Sequence, residues 1–481
     1  MDDSQILLSG VTGFMAERRN GWYKRQDDDT YLCMTSNFKM FLDGEDHWRV
    51  GRNDHGFLRS VEAANGAPPH NIEAWKFYVE EEKTWIDAEK EIRVSICTQQ
   101  ELEEQQDDGV AQIAESIAEA SSNVGVACAF LHFSPNPVVQ VGAGGLRQIN
   151  ADVKAEADDA FIIASCTKSM TATLCGIFVQ EGHLAWDSTV EGVLGITGTF
   201  GAVTLHELLT HQSRMPRPWK KYNTDHVKPP DPEEDSDNDL WIQRRRQLIE
   251  GVLAVAEPYE EEGFHYSNLG YIVVACMLEE VSKLRWEELM MERLFEPLGI
   301  TTGVLDYPGR LEADDDKRAE YAWPHKGSPP VPIDPKDVSV TFGAPVGGCC
   351  LSVADWARYL AVHVDYGWAH SKLGLVQETM VFLHAPFEGS SYACGWHCQV
   401  SKTLSHGVLF HDGLSSAGPR CWVRVDLGLK VAAMYICNGK CVGKQAMSKL
   451  MRAGRNEVQG FHENEESDEE DHDHDDDDDD E

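Results

Sequence analysis

The chain has 481 residues, 42% of them hydrophobic, and a formal net charge of −39. Such apolar content supports a large globular core. The negative charge, with no basic patch, excludes the phosphate-neutralising surface that nucleic-acid binding requires. No stretch reaches the roughly 20 apolar residues needed to span a bilayer, so no membrane partner is expected.

Residues 1–98 read as a small β-rich module. Short alternating pieces at 30–34, 47–50, 75–79 and 92–96 are separated by turn residues. Trp48, Trp75 and Trp85 suit core packing there, or a binding surface. The first ten residues lack a basic n-region, so no signal peptide is expected. The thirteen cysteines lack metal-ligand spacing and often sit in apolar runs, which points to a reducing, cytoplasmic setting. Residues 99–460 read as the main domain. It opens on a polar stretch that becomes an amphipathic helix at Val110, Ile113, Ala114, Ile117 and Ala118. Segments 124–133 and 138–142 then read as a hairpin.

Ser165-Cys166-Thr167-Lys168 follows the apolar run Phe161-Ile162-Ile163-Ala164 and precedes Met170, Leu174, Ile177 and Phe178 at helical spacing. A hydroxyl and an amine at i and i+3 share a helix face, with Cβ atoms roughly 5–6 Å apart. Serine is a weak nucleophile without an adjacent base. Lysine can be that base only if burial or a second cation lowers its pKa. A helix N-terminus also favours a developing anion. Ser36-Asn37-Phe38-Lys39 fits the same spacing, but its surroundings have no helical period. His211 lies in an apolar segment and reads as a buried structural residue. The polar runs 217–239 and 312–335 read as long loops, either over a cleft or as surface insertions. Tyr266-Ser267-Asn268 precedes another apolar helix, which Asn268 could cap from Leu269 onward. Strands are expected at 392–400, 408–410, 419–425 and 430–436, with a final helix over 440–455. His411-Asp412-Gly413 falls among these strands. From Glu463 to Glu481, 15 of 19 residues are acidic. Segment 461–481 is therefore expected to be a disordered, solvated tail. Weak binding of cations or basic proteins there, aided by His472 and His474, is the lesser expectation.

Taken together, these elements resemble the serine β-lactamase-like superfamily of tyrosine-base β-lactamases, D-amino-acid peptidases, penicillin-binding carboxypeptidases and related esterases. The resemblance covers roughly residues 110–455. It rests on seven landmarks in order: 157–190 around Ser165, VTLHELLTHQSRMP (203–216), FHYSNLG (264–270), FEPLGI (295–300), GAPVGGCCLSVADWARY (343–359), YACGW (392–396) and His411-Asp412-Gly413. Two departures stand out. Arg214 follows Ser213 where the family usually has Gly, and His411 stands where antibiotic-degrading members more often carry Lys.

The resemblance implies an α/β fold with a mixed, mainly antiparallel sheet flanked by helices and an inserted helical subdomain. It implies a serine hydrolase that forms an acyl-enzyme on Ser165 and hydrolyses a small ester or amide. An esterase or D-peptidase is favoured, and β-lactam hydrolysis is less expected. Lys168 and Tyr266 would share the proton transfers, with nearby ammonium groups favouring the phenolate. Asn268 would hydrogen-bond Lys168 and the substrate. The N–H groups of Ser165 and Leu414 would form the oxyanion hole. Gly413 would let its edge strand approach closely. His411 would bond Tyr266 or hold a substrate carboxylate. No cofactor or metal is implied. The alternative is a catalytically silent scaffold of the same fold, or a protein-binding role dominated by residues 1–98.

Overall fold

The structure, a computed structural model, describes residues 109–441 except 134–135, 218–237, 311, 313, 319, 339–340 and 401–406. Before residue 109 it describes only the backbone of one helix and of nine strands. Ser36, the acidic tail, most of the 217–239 loop and the last helix beyond residue 441 lie outside the described residues, as do the side chains of Trp48, Trp75 and Trp85.

The nine N-terminal strands lie between Gln5 and Cys97 in one antiparallel sheet. The first eight neighbour one another in sequence order, and the ninth lies beside the first.

Gln106–Met451 is a separate compact unit. It is built on six antiparallel strands: β1 (Val126–Phe133), β2 (Pro137–Gly144), β3 (His397–Val400), β4 (Gly407–Leu414), β5 (Arg420–Asp426) and β6 (Val431–Cys437). Their spatial order is β2-β1-β6-β5-β4-β3. The first and last parts of the unit therefore meet at the centre of the sheet. β1 and β6 are buried on nearly every residue, so their sequences run almost continuously apolar instead of alternating. Helix α1 (Gln99–Ala120) buries Val110, Ala114, Ile117 and Ala118.

The helical part holds α2 (Thr167–Gln180), α3 (Asn238–Leu253) and α4 (Asn268–Ser282). Two further helices are α5 (Val353–Val364), packed against β1 and β6, and α6 (Gln377–His384). α2 and α4 are each buried over most of their length, since both are enclosed in the core, and α2 buries polar Thr167, Lys168, Ser169, Thr171 and Thr173 along with its apolar residues. Among the described residues, no helix is long and apolar enough to cross a membrane.

Three details differ from the sequence expectation. The strand expected from 392 begins only at His397. Residues 392–396 instead form a tight turn in which the Ala393 N–H donates to the Trp396 carbonyl at 2.8 Å. Gly395, at φ +76°, makes that turn possible, and a Cβ there would lie 2.7 Å from the Ser169 backbone. β4 is also longer than expected, reaching Leu414. Lastly, β4 is not the edge strand, since β3 lies outside it. β3 pairs only with Gly407–Phe410, which leaves His411–Leu414 uncovered by it.

Candidate active site

Ser165 lies in a 3-10 turn, Ala164–Cys166, that runs directly into α2. The turn is fed by Phe161–Ile162, which pairs with Cys350–Leu351. Ala164 has φ +42°, a strained conformation for a residue with a Cβ, and it turns the chain sharply at the serine. Ser165 remains partly exposed while its neighbours are buried.

Helix geometry brings Lys168 back over the serine: its Nζ lies 3.0 Å from Ser165 Oγ. The lysine is fully buried, and its second partner is the Val346 carbonyl at 3.1 Å. Nζ also lies over the rings of Tyr266 and Tyr271, 4.8 and 5.7 Å from their centroids. Burial is the chief cause that brings its pKa down to about 7, with Arg217 adding to the fall and Cys166 and Asp412 opposing it. About half of the amine is therefore neutral and able to accept a proton at pH 7.

The Tyr266 hydroxyl lies close enough to Ser165 for the serine to lower its pKa, so the phenol faces the pair. Its electrostatics run opposite to the expectation. Burial pushes the phenol pKa up, and Ser165 and Arg217 only partly offset this. The resting phenol is protonated because desolvation of a phenolate outweighs the nearby cations.

Asn268 reaches the same neighbourhood with a different local role. It is the first residue of α4, and the cap is Ser267, whose hydroxyl accepts from the Gly270 N–H at 3.3 Å and donates to the Pro216 carbonyl at 3.0 Å. Asn268 Oδ1 is buried without a hydrogen-bond partner. The expected bond to Lys168 is replaced by the lysine's contacts with Ser165 and Val346. A buried carbonyl oxygen left unpaired costs about 1–3 kcal/mol, and a substrate N–H could satisfy it.

Across from the serine, β4 presents His411–Leu414. Gly413 is packed so tightly that a Cβ would lie 2.5 Å from the Ile163 carbonyl and 3.2 Å from Ala164 Cβ. Only glycine fits, and the strand backbone is held against the turn that carries Ser165. Leu414 ends the strand with an exposed side chain, paired in register with Arg420.

His411 lies on the same strand with other partners than Tyr266. It is fully buried, and its ring nitrogens meet the Tyr392 hydroxyl at 3.0 Å (Nε2) and the Asp412 carbonyl at 2.6 Å (Nδ1). Burial, with His397 and Lys168 nearby, holds it well below the usual histidine range. Both ring nitrogens are thus engaged by partners other than Tyr266.

Sequence reasoning passed over three contributors. Tyr392 gave only a landmark. His211, though buried as expected, packs 4.3 Å from the Tyr266 ring, and its Nδ1 accepts from the Ser267 N–H at 3.2 Å. Its φ of +58° is an unusual backbone that residue type does not reveal. Arg217, exposed, has its guanidinium carbon 5.7 Å from the Tyr266 ring centroid.

Residues 111–452 match the Beta-lactamase family. The chain belongs to the Beta-lactamase family. Within it, penicillin-binding protein 4 of Amycolatopsis lactamdurans is 24% identical over 66% of this chain and 82% of its own length. The unguisins hydrolase ungD' of Aspergillus campestris is 22% identical over 56% of this chain and 50% of its own. The crystal structure of SurE with D-Leu has a TM-score of 0.58 at 19% identity, covering 75% of this chain and 78% of that one. Membership fixes the antiparallel sheet flanked by helices and places the chain among hydrolase-type proteins.

Proposed function

We propose that the chain is a serine hydrolase that forms an acyl-enzyme on Ser165 and cleaves a small ester or amide. The observation that carries this reading is the 3.0 Å contact between Ser165 Oγ and a buried lysine whose pKa is brought down to about 7. Penicillin-binding protein 4 and an unguisins hydrolase among the relatives are in keeping with amide or ester substrates.

Neutral Lys168 takes the Ser165 proton as Oγ attacks the carbonyl. Tyr266, which keeps its own proton at rest, is suited to hand one to the leaving group and recover it from the lysine side. The N–H groups of Ser165 and Leu414 stabilise the oxyanion. Water then attacks the acyl-enzyme, its proton passing to the same Lys168–Tyr266 pair. Asn268 Oδ1 accepts from a substrate N–H. The described cysteines are free thiols, in keeping with a reducing, cytoplasmic setting.

Incubation with a fluorophosphonate followed by peptide mass spectrometry tests the reading. An adduct on the Ser165 peptide, lost in Ser165→Ala along with p-nitrophenyl ester turnover, is the expected outcome. No adduct and no turnover in the wild-type chain would favour the silent scaffold.

A further inference from the structure

The strand that faces the nucleophile needs something to hold it, because β3 stops at the level of Phe410. His411–Leu414 has β5 on one side only. On its other side it meets Tyr392, a fully buried side chain from the turn before β3.

The proton positions in that contact follow from valence. A carbonyl oxygen can only accept, so His411 Nδ1 carries the hydrogen directed at the Asp412 carbonyl. Burial keeps the ring neutral, so Nε2 is an acceptor and the Tyr392 hydroxyl is its donor. His411 is thereby fixed in one tautomer, with its own backbone carbonyl 3.7 Å from Cys166 Sγ beside the serine.

The Tyr392 ring faces the opposite wall. Its centroid is 4.8 Å from that of His211, 5.4 Å from that of Phe264, and 6.3 Å edge-on from that of Tyr266. One side chain thus packs on the segment that carries the phenol and bonds the strand that carries Gly413 and Leu414.

We infer that Tyr392 is a positioning residue, acting through His411 to fix the distance between the Gly413–Leu414 backbone and the Ser165–Tyr266 pair. The inference rests on the serine hydrolase reading. A displaced oxyanion donor weakens the transition state more than the ground state, so the loss should fall on kcat.

Tyr392→Phe keeps the ring and removes the hydroxyl. With active sites counted by fluorophosphonate titration, kcat per site should fall about 10- to 100-fold while KM changes less than about 2-fold. A boronic acid, which mimics the tetrahedral adduct, should bind weaker by a similar factor. His411→Gln, whose amide can both accept from Tyr392 and donate to the Asp412 carbonyl, should recover to within about tenfold of wild type. His411→Leu should resemble Tyr392→Phe. The inference is overturned if Tyr392→Phe lowers only the melting temperature or the active fraction and leaves kcat per site within about 2-fold. It is overturned equally if the Gln and Leu variants at 411 behave alike. A wild-type chain that gives no Ser165 adduct would instead remove the hydrolase reading itself.

Discussion

The two ends of α4 treat buried cations in opposite ways. At its N-terminus, beside Tyr266, Lys168 is enclosed with a hydroxyl, a carbonyl and two aromatic rings for company. Toward its C-terminus, Arg245 of α3 is just as deeply buried but meets Glu279 and also Glu287, at 2.5 Å. Burial pulls both pKa values down. At Arg245 the carboxylates more than reverse the effect, and its charge is held firmly. At Lys168 the opposing carboxylate influence, from Asp412, is too weak to do so, and the pKa comes to about 7. The same desolvation leaves a firmly held charge where carboxylates match it and an easily lost proton where they do not.

Removing each cation should break this contrast in a characteristic way. Ser165→Ala and Lys168→Met should each lower ester turnover by about 10⁴- to 10⁶-fold, read by steady-state kinetics. Lys168→Met should also raise stability by about 1–2 kcal/mol at pH 7 in urea unfolding, since it replaces an amine that folding desolvates. The sign follows from linkage. A lysine lowered from 10.5 to about 7 leaves the unfolded chain with more bound protons between those values. Its contribution to stability therefore improves as pH rises through that window, and the stabilising effect of the variant should fade by about pH 10. Arg245→Met should do the reverse. It leaves Glu279 buried without its cation, costs about 3–5 kcal/mol, and leaves kcat per titrated site near wild type.

Smaller effects sharpen the comparison. If neutral Lys168 is the active form, kcat/KM should rise about tenfold per pH unit up to pH about 7 and then level off. A flat profile across pH 6–8 would remove the lysine from that role. Ser267→Ala removes the α4 cap and should cost about 1 kcal/mol, measured as a shift in the urea midpoint.

Much of the site was legible because it is local. The apolar run before Ser165 and the helical spacing after it place the hydroxyl and amine together by helix geometry alone, and the structure gives that contact at 3.0 Å. The hairpin at 124–142 was equally legible, since strand pairing across a short turn needs little distant information. The turn at 392–396 was not. Its residues look strand-like, and Gly395 acts as a breaker there because the chain must pass against the Ser169 backbone.

Residue type and spacing by themselves determined which groups could meet: Ser165 with Lys168 on one helix face, and Tyr266 at the mouth of another helix. Tertiary packing decided what those groups became. The pKa of Lys168 comes down and that of Tyr266 goes up because segments far apart in the chain enclose them, and desolvation sums over all of those segments. The partner of His411 was decided in the same way, by the turn before β3 that delivers Tyr392. A sequence specifies neighbours along a helix within a few residues, but the dielectric around a side chain belongs to the whole fold.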